Sequence, residues 1–122
     1  MPTDPVARLR ALCLALPEVA ERASHGEVSF FVRGKKQFVL VDDHHHGAAH
    51  LAFWCAAPPG AQEALVASDP ARFYRPPYVG HRGWLGVRLA AEGLAEPDWS
   101  EIGDIVKDAY RQVAPKTLAD LV

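Results

Sequence analysis

Hydrophobic and polar residues recur along this chain with two different periods, and the switches between them mark out its elements. Val6, Leu9, Leu12, Cys13 and Leu16 fall at helical spacing. Asp4 stands ahead of them as a cap and Pro5 suits the first helical position. Pro17 ends the run, because the residue before a proline is pushed out of the helical region. A polar stretch, Glu18 to Glu27, follows and contains Ser24-His25-Gly26. Strand-like composition then takes over. Val28 to Arg33 reads as a strand, Gly34-Lys35 as a tight turn, and Lys36 to Val41 as a second strand. Beyond the polar loop Asp42 to Gly47, His50 to Cys55 sets Leu51, Phe53 and Cys55 against His50, Ala52 and Trp54.

Pro58-Pro59-Gly60 punctuates the chain, and a helix with Leu65 and Val66 as its apolar contacts runs up to Asp69-Pro70. Residues 71 to 83 oppose regular structure with two prolines and two glycines. Trp84 to Leu89 alternates again as a fourth strand. Asp98, with Glu101 three residues on, resembles a capping box. It opens a helix whose stripe is Trp99, Ile102, Ile105, Val106, Ala109, Tyr110 and Val113, closed by Pro115. A short helical turn is expected within Lys116 to Val122. The order α-β-β-β-α-β-α predicts one two-layer α+β domain over residues 1–122. Its antiparallel sheet has the helices packed on one face and the second face free.

Composition narrows the class. A chain of 122 residues, 49% hydrophobic and 23% charged, is an ordinary soluble domain. No apolar run approaches the ~20 residues of a membrane helix. The start, MPTDPVARLR, has no basic segment followed by an apolar signal core. Two cysteines make no disulfide framework, so a reduced, cytoplasmic setting is expected, with a monomer as the simplest state. The formal charge of -2 argues against a uniformly basic nucleic-acid coat. That small sum hides two blocks. Residues 70–91 carry four arginines (Arg72, Arg75, Arg82, Arg88) and no acid, whereas residues 92–108 carry six acids against Lys107.

The basic block and a second cluster, Arg33, Lys35 and Lys36 at the first turn, suit contact with phosphates, which positions a duplex without reading sequence. Ordinary solubilising turn charge is the competing explanation. Strand alternation adds aromatic groups. If Val28, Phe30 and Val32 face the helices, then Phe31, Trp54 and Trp84 collect on the free face beside Arg33, Arg88 and His50. Rings beside guanidinium groups suit base stacking or a planar ligand. The alternative is that segment 71–83, with Phe73, Tyr74 and Tyr78, folds across and buries them.

Other chemistry is thinly signalled. Asp42-Asp43-His44-His45-His46 carries metal-ligand residue types, but consecutive histidines on a turn have no closed geometry, so only adventitious metal capture at His44, His45 and His46 is expected. Cys13 and Cys55 fall on apolar stripes and read as inert core thiols. His25 and His81 sit in no recognisable nucleophile or general-base arrangement. No phosphate-binding glycine loop links a strand to a helix. No cofactor is implied, and catalysis is not expected.

The series Leu16-Pro17, Ser24-His25-Gly26, Val32-Arg33-Gly34-Lys35-Lys36, Pro77-Tyr78-Val79-Gly80, Gly83-Trp84 and Ala109-Tyr110 resembles the MmcQ/YjbR family of small bacterial proteins. The resemblance runs from about residue 6 to residue 115. It implies a fold similar to CyaY, the bacterial frataxin, and DNA binding through a double-wing arrangement. Arg33, Lys35, Lys36, Arg75, Arg82 and Arg88 are then the expected phosphate contacts, with Trp84 or Tyr78 as stacking surface. A small-ligand or protein-partner module using the aromatic sheet face is the alternative. One departure stands out: the family's last helix usually carries Ser-Tyr where this chain has Ala109-Tyr110. Frataxin-like iron binding is not expected, since the first helix carries Arg8 and Arg10 where an acidic ridge would be needed.

Overall fold

The computed structural model describes residues 4–24, 26–44 and 50–122. Its elements are α1 (Pro5–Leu14), β1 (Val19–Ser24), β2 (Glu27–Val32), β3 (Lys36–Asp43), β4 (Leu51–Cys55), α2 (Ala61–Ser68), β5 (Phe73–Tyr74), a 3-10 turn (Gly80–Arg82), β6 (Leu85–Ala90), α3 (Trp99–Val113) and α4 (Lys116–Ala119). The strands form one antiparallel sheet in the order β1-β2-β3-β4-β6-β5. This is the two-layer α+β fold that the sequence pattern implies, with two strands more than the pattern showed.

The caps fall where the sequence puts them. The Asp4 carboxylate accepts from the Val6 amide, and the Asp98 carboxylate accepts from the amides of Ser100 and Glu101. The first hairpin turn is shifted by one residue. Arg33 and Gly34, with φ of 53° and 68°, are its central pair, and the Lys35 amide closes it on the Val32 carbonyl at 3.0 Å. Positive φ at both central residues gives the turn that matches strand twist.

One sheet face carries the core. Phe30, Val32, Val39, Val41, Phe53, Cys55, Leu85 and Val87 meet Leu9, Cys13 and Leu16 around α1 and Ile102, Val106, Ala109 and Tyr110 of α3. Phe38 joins them because the register shifts between Phe30 and Phe31, leaving it outside the pairing, and its ring meets Tyr110 edge-on at 5.7 Å. The Tyr110 hydroxyl donates to the Pro17 carbonyl at 2.7 Å, tying α3 to the end of the first helical segment.

The polar stretch 18–27 is not simply loop. Most of it is β1, an edge strand whose residues are largely exposed and which pairs with β2 from Val19↔Val32 to Ser24↔Glu27. An edge strand facing solvent needs no apolar alternation, so hydrophobic periodicity passes over it. The irregular segment contributes the two-residue β5, paired with β6 at Phe73↔Val87 and Tyr74↔Gly86.

Candidate functional site

The second sheet face is half covered. Register aligns Ser24 of β1, Ser29 and Phe31 of β2, Gln37, Leu40 and Asp42 of β3, Ala52 and Trp54 of β4, Gly86 and Arg88 of β6 and Tyr74 of β5 on that face. Segment 74–83 crosses its β4-β6 half. The Tyr74 ring lies over Gly86, where a Cβ would come within 2.6 Å of it. The face therefore does not present the free aromatics expected from alternation. Trp54 is buried, with Tyr78 6.5 Å from it and its indole N–H donating to the Tyr74 hydroxyl at 2.8 Å. Phe31 is covered by the Arg22 guanidinium at 4.0 Å, and Trp84 lies buried beneath Arg82 at 5.1 Å. Trp84 is thus a core residue and offers no stacking surface.

The basic candidates divide. Arg88 is half-buried and its guanidinium is engaged by its own fold. Its guanidinium donates to His50 Nδ1 at 3.3 Å and to the carbonyls of Pro70 and Ala71, and it lies 4.4 Å over the Tyr74 ring. Arg72 is buried, donating to the carbonyls of Arg88 and Ala95 at 2.8 and 2.7 Å. Arg33 is exposed but forms a two-point ion pair with Glu18. Lys35, Lys36, Arg75 and Arg82 are exposed, as is Tyr78.

Register brings the exposed cations to one end of the sheet. Lys36 starts β3 next to the hairpin turn, Val39 pairs with Cys55, and Cys55 pairs with Leu85, so Arg82 precedes β6 at that same end. Arg75 belongs there too, its side chain against Gly80 so closely that a Cβ at Gly80 would meet it at 2.6 Å. The Gln62 amide, buried at the start of α2, donates to the carbonyls of Gly80 and Trp84 and pins the loop that carries Arg82. Val113, Ala114 and Pro115 line a cleft of about 350 Å³ with Val32, Arg33, Lys35 and Lys36, so α3 ends at the basic end. Its other terminus, with Asp98 and Glu101, lies a helix length away, about 22 Å for its 15 residues. Acids at the basic end are largely paired: Glu18 with Arg33, Asp108 with Arg111, and Asp120 with Lys116. Glu63, in the first turn of α2, is the exposed acid nearest Gln62 in sequence.

The opposite end holds a polar network. His50 Nε2 lies 3.3 Å from the Tyr74 hydroxyl and 3.9 Å from the buried Asp42 carboxylate. The Arg88 Nε can only donate, so Nδ1 accepts and the neutral imidazole carries its proton on Nε2. Burial, and then Arg88, hold the His50 pKa below its ordinary value, while burial pushes Tyr74 up to about 12. Burial likewise raises the thiols of Cys13 and Cys55, which are core groups.

Between these ends lies a groove of about 480 Å³ lined by Ser24, Glu27, Gln37, Leu40, Trp54, Tyr78 and Val79. Sequence reasoning did not find it, because Ser24 and Glu27 belong to the polar stretch that becomes β1 and the start of β2. The expected metal loop falls partly on His45 and His46, and the His25 reading on a residue, that lie outside the described residues. His44 pairs with Asp43 at 2.6 Å. No group of three metal-ligating side chains occurs among the described residues. Nor, among them, is any helix long and apolar enough to cross a membrane.

A six-stranded antiparallel sheet with helices on one face defines an α+β protein of the kind anticipated from its motifs. The YjbR family's sequence model matches residues 14–112, and the chain belongs to that family. Among solved structures it is similar to Deinococcus radiodurans protein DR2400, whose family-model domain is DUF419. The two share 18% identity over 98% of this chain and 91% of that one, with a TM-score of 0.73, a likeness of fold. No curated protein matches the chain.

Proposed function

We propose that this protein binds DNA without catalysis, through phosphate contacts made by the basic end of the sheet. The observation that supports the reading is that Lys35, Lys36, Arg75 and Arg82 share one end of the sheet, while Asp98 and Glu101 at the start of α3 lie at the other. With those four cations at one end and Asp98 and Glu101 at the other, a molecule of formal charge -2 offers a positive surface to a polyanion. Arg33 adds charge only as far as Glu18 releases it. Tyr78 stands at the rim, 73% exposed. Contacts of this kind fix orientation on a duplex and carry little sequence information.

Fluorescence anisotropy with a labelled duplex at low salt tests the reading. Micromolar binding is expected, weakened at least about tenfold by Lys36→Glu combined with Arg82→Glu. Absence of binding at low salt, or binding indifferent to that double reversal, overturns it.

A further inference from the structure

We propose that the cleft between the β2–β3 turn and the end of α3 binds a small organic carboxylate, an acid group carried on a short hydrocarbon body. At about 350 Å³ it falls near the lower end of the range of about 300–1,000 Å³ usual for small-molecule sites. Val32, Val113, Ala114 and Pro115 supply its apolar surface, and Arg33, Lys35 and Lys36 complete the lining.

Both sides of the cleft are held in place. On one side Arg33 and Gly34, at φ of 53° and 68°, form the tight turn, and the Lys35 amide closes it on the Val32 carbonyl at 3.0 Å. On the other, the Ala114 amide donates to the Tyr110 carbonyl at 2.9 Å, and the Leu118 and Ala119 amides both donate to the Pro115 carbonyl at 2.9 Å. Lys36 pairs with Val32, so both side chains leave the sheet on the face that carries the helices. That register sets a cation beside an apolar surface at the end of α3.

Charge selects the ligand. Arg33 is neutralised by Glu18, and among the described residues no acid lines the cleft. Lys35 and Lys36 are exposed and have no ion-pair partner among the described residues. The carbonyls at the end of α3 contribute about half a negative charge, less than two ammonium groups supply. The residues outside the described set join the chain at Asp4, at Ser24 and between His44 and His50. All three points lie away from the cleft. Ser24 pairs with Glu27 and Asp43 with Leu51, at the strand ends opposite Val32 and Lys36. The first turn of α1 meets the start of α3, with Arg8 4.6 Å over the Trp99 ring. Two ammonium groups beside hydrocarbon match a carboxylate on an apolar body.

The site shares Lys35 and Lys36 with the DNA-binding reading but does not rest on it, and its test contains no nucleic acid. Phenylbutyrate is a suitable probe, with neutral phenylbutanol and cationic phenylbutylamine as controls of like shape. Binding is read at low salt from the amide NMR shifts of Val32, Lys36, Val113 and Ala114. Phenylbutyrate should saturate at millimolar or lower concentration, at least about fivefold tighter than the alcohol, and the amine should not bind. Lys35→Gln/Lys36→Gln, both at exposed positions, should bring phenylbutyrate to the level of the alcohol and leave the alcohol unchanged. Arg75→Ala/Arg82→Ala, expected to weaken duplex binding, should leave phenylbutyrate within about twofold of its wild-type affinity. No preference for phenylbutyrate over the two controls, no saturation by it, or shifts confined to residues outside the cleft would contradict the proposal. So would wild-type binding in Lys35→Gln/Lys36→Gln, or lost binding in Arg75→Ala/Arg82→Ala.

Discussion

Arg72 and Arg88 differ from Arg75 and Arg82 in what their guanidinium groups do, although all four stand within one acid-free stretch. Arg72 is buried and caps the carbonyls of Arg88 and Ala95. Arg88 bridges His50 and the carbonyls of Pro70 and Ala71. Arg75 and Arg82 are exposed on a loop at the same end of the sheet as the basic hairpin turn. The difference comes from local backbone supply. Around β5 and the 90–95 connection, carbonyls outside the sheet ladder need donors, and a five-donor side chain satisfies several at once. A run of charge in a sequence therefore overstates the charge offered to a partner. The acidic block is similarly divided, since Asp98 caps α3 and Glu101 sits in its first turn, where a carboxylate complements the helix dipole.

The sharpest way to break this contrast is to remove Arg72. Arg72→Ala leaves two carbonyls without their donor at a site 8% exposed, and a loss of about 2–3 kcal/mol is expected in denaturant unfolding. If the stability is unchanged, the inward arginines are not structural. A smaller effect is expected from the His50 that Arg88 engages. Its folded pKa lies below the ordinary 6.5, so on acidification the unfolded chain takes up the proton first. The stability contributed by neutral His50 is whole above that value and falls as pH drops below it. Thermal melts from pH 7.5 to 5 should show a shallower decline for His50→Gln than for the wild type; equal slopes would remove His50 from the account. Smallest of all is Arg82→Ala, expected to stay within about 0.5 kcal/mol of the wild type in the same unfolding assay.

Much of the fold was legible. Regular alternation marked β2, β4 and β6, and the caps at Asp4 and Asp98 located both long helices. The elements that escaped had no such signal. β1 is an edge strand held by backbone pairing, and β5 has two residues. The shift between Phe30 and Phe31 is a local irregularity that turns Phe38 into the core. The site was less legible than the fold, for the same reason. Which arginine reaches solvent depends on the carbonyls brought near it by chain segments distant in sequence. The cover over Trp54 depends on a loop whose path only tertiary pairing fixes. Lys35, Lys36, Arg75, Tyr78 and Arg82 are exposed, whereas Trp84 is buried and Arg88 is half-buried and engaged by His50.

The most direct test of the basic end is the salt dependence of duplex binding in the wild type beside Arg75→Ala/Arg82→Ala and Arg88→Lys. Four exposed cations neutralising phosphates predict a slope of log K against log salt of about -3 to -4 for the wild type. The double variant should lose about two from that slope, and Arg88→Lys, altered away from the basic end, should keep it. A wild-type slope near zero, or a slope that Arg88→Lys changes as much as the double variant does, would contradict the account.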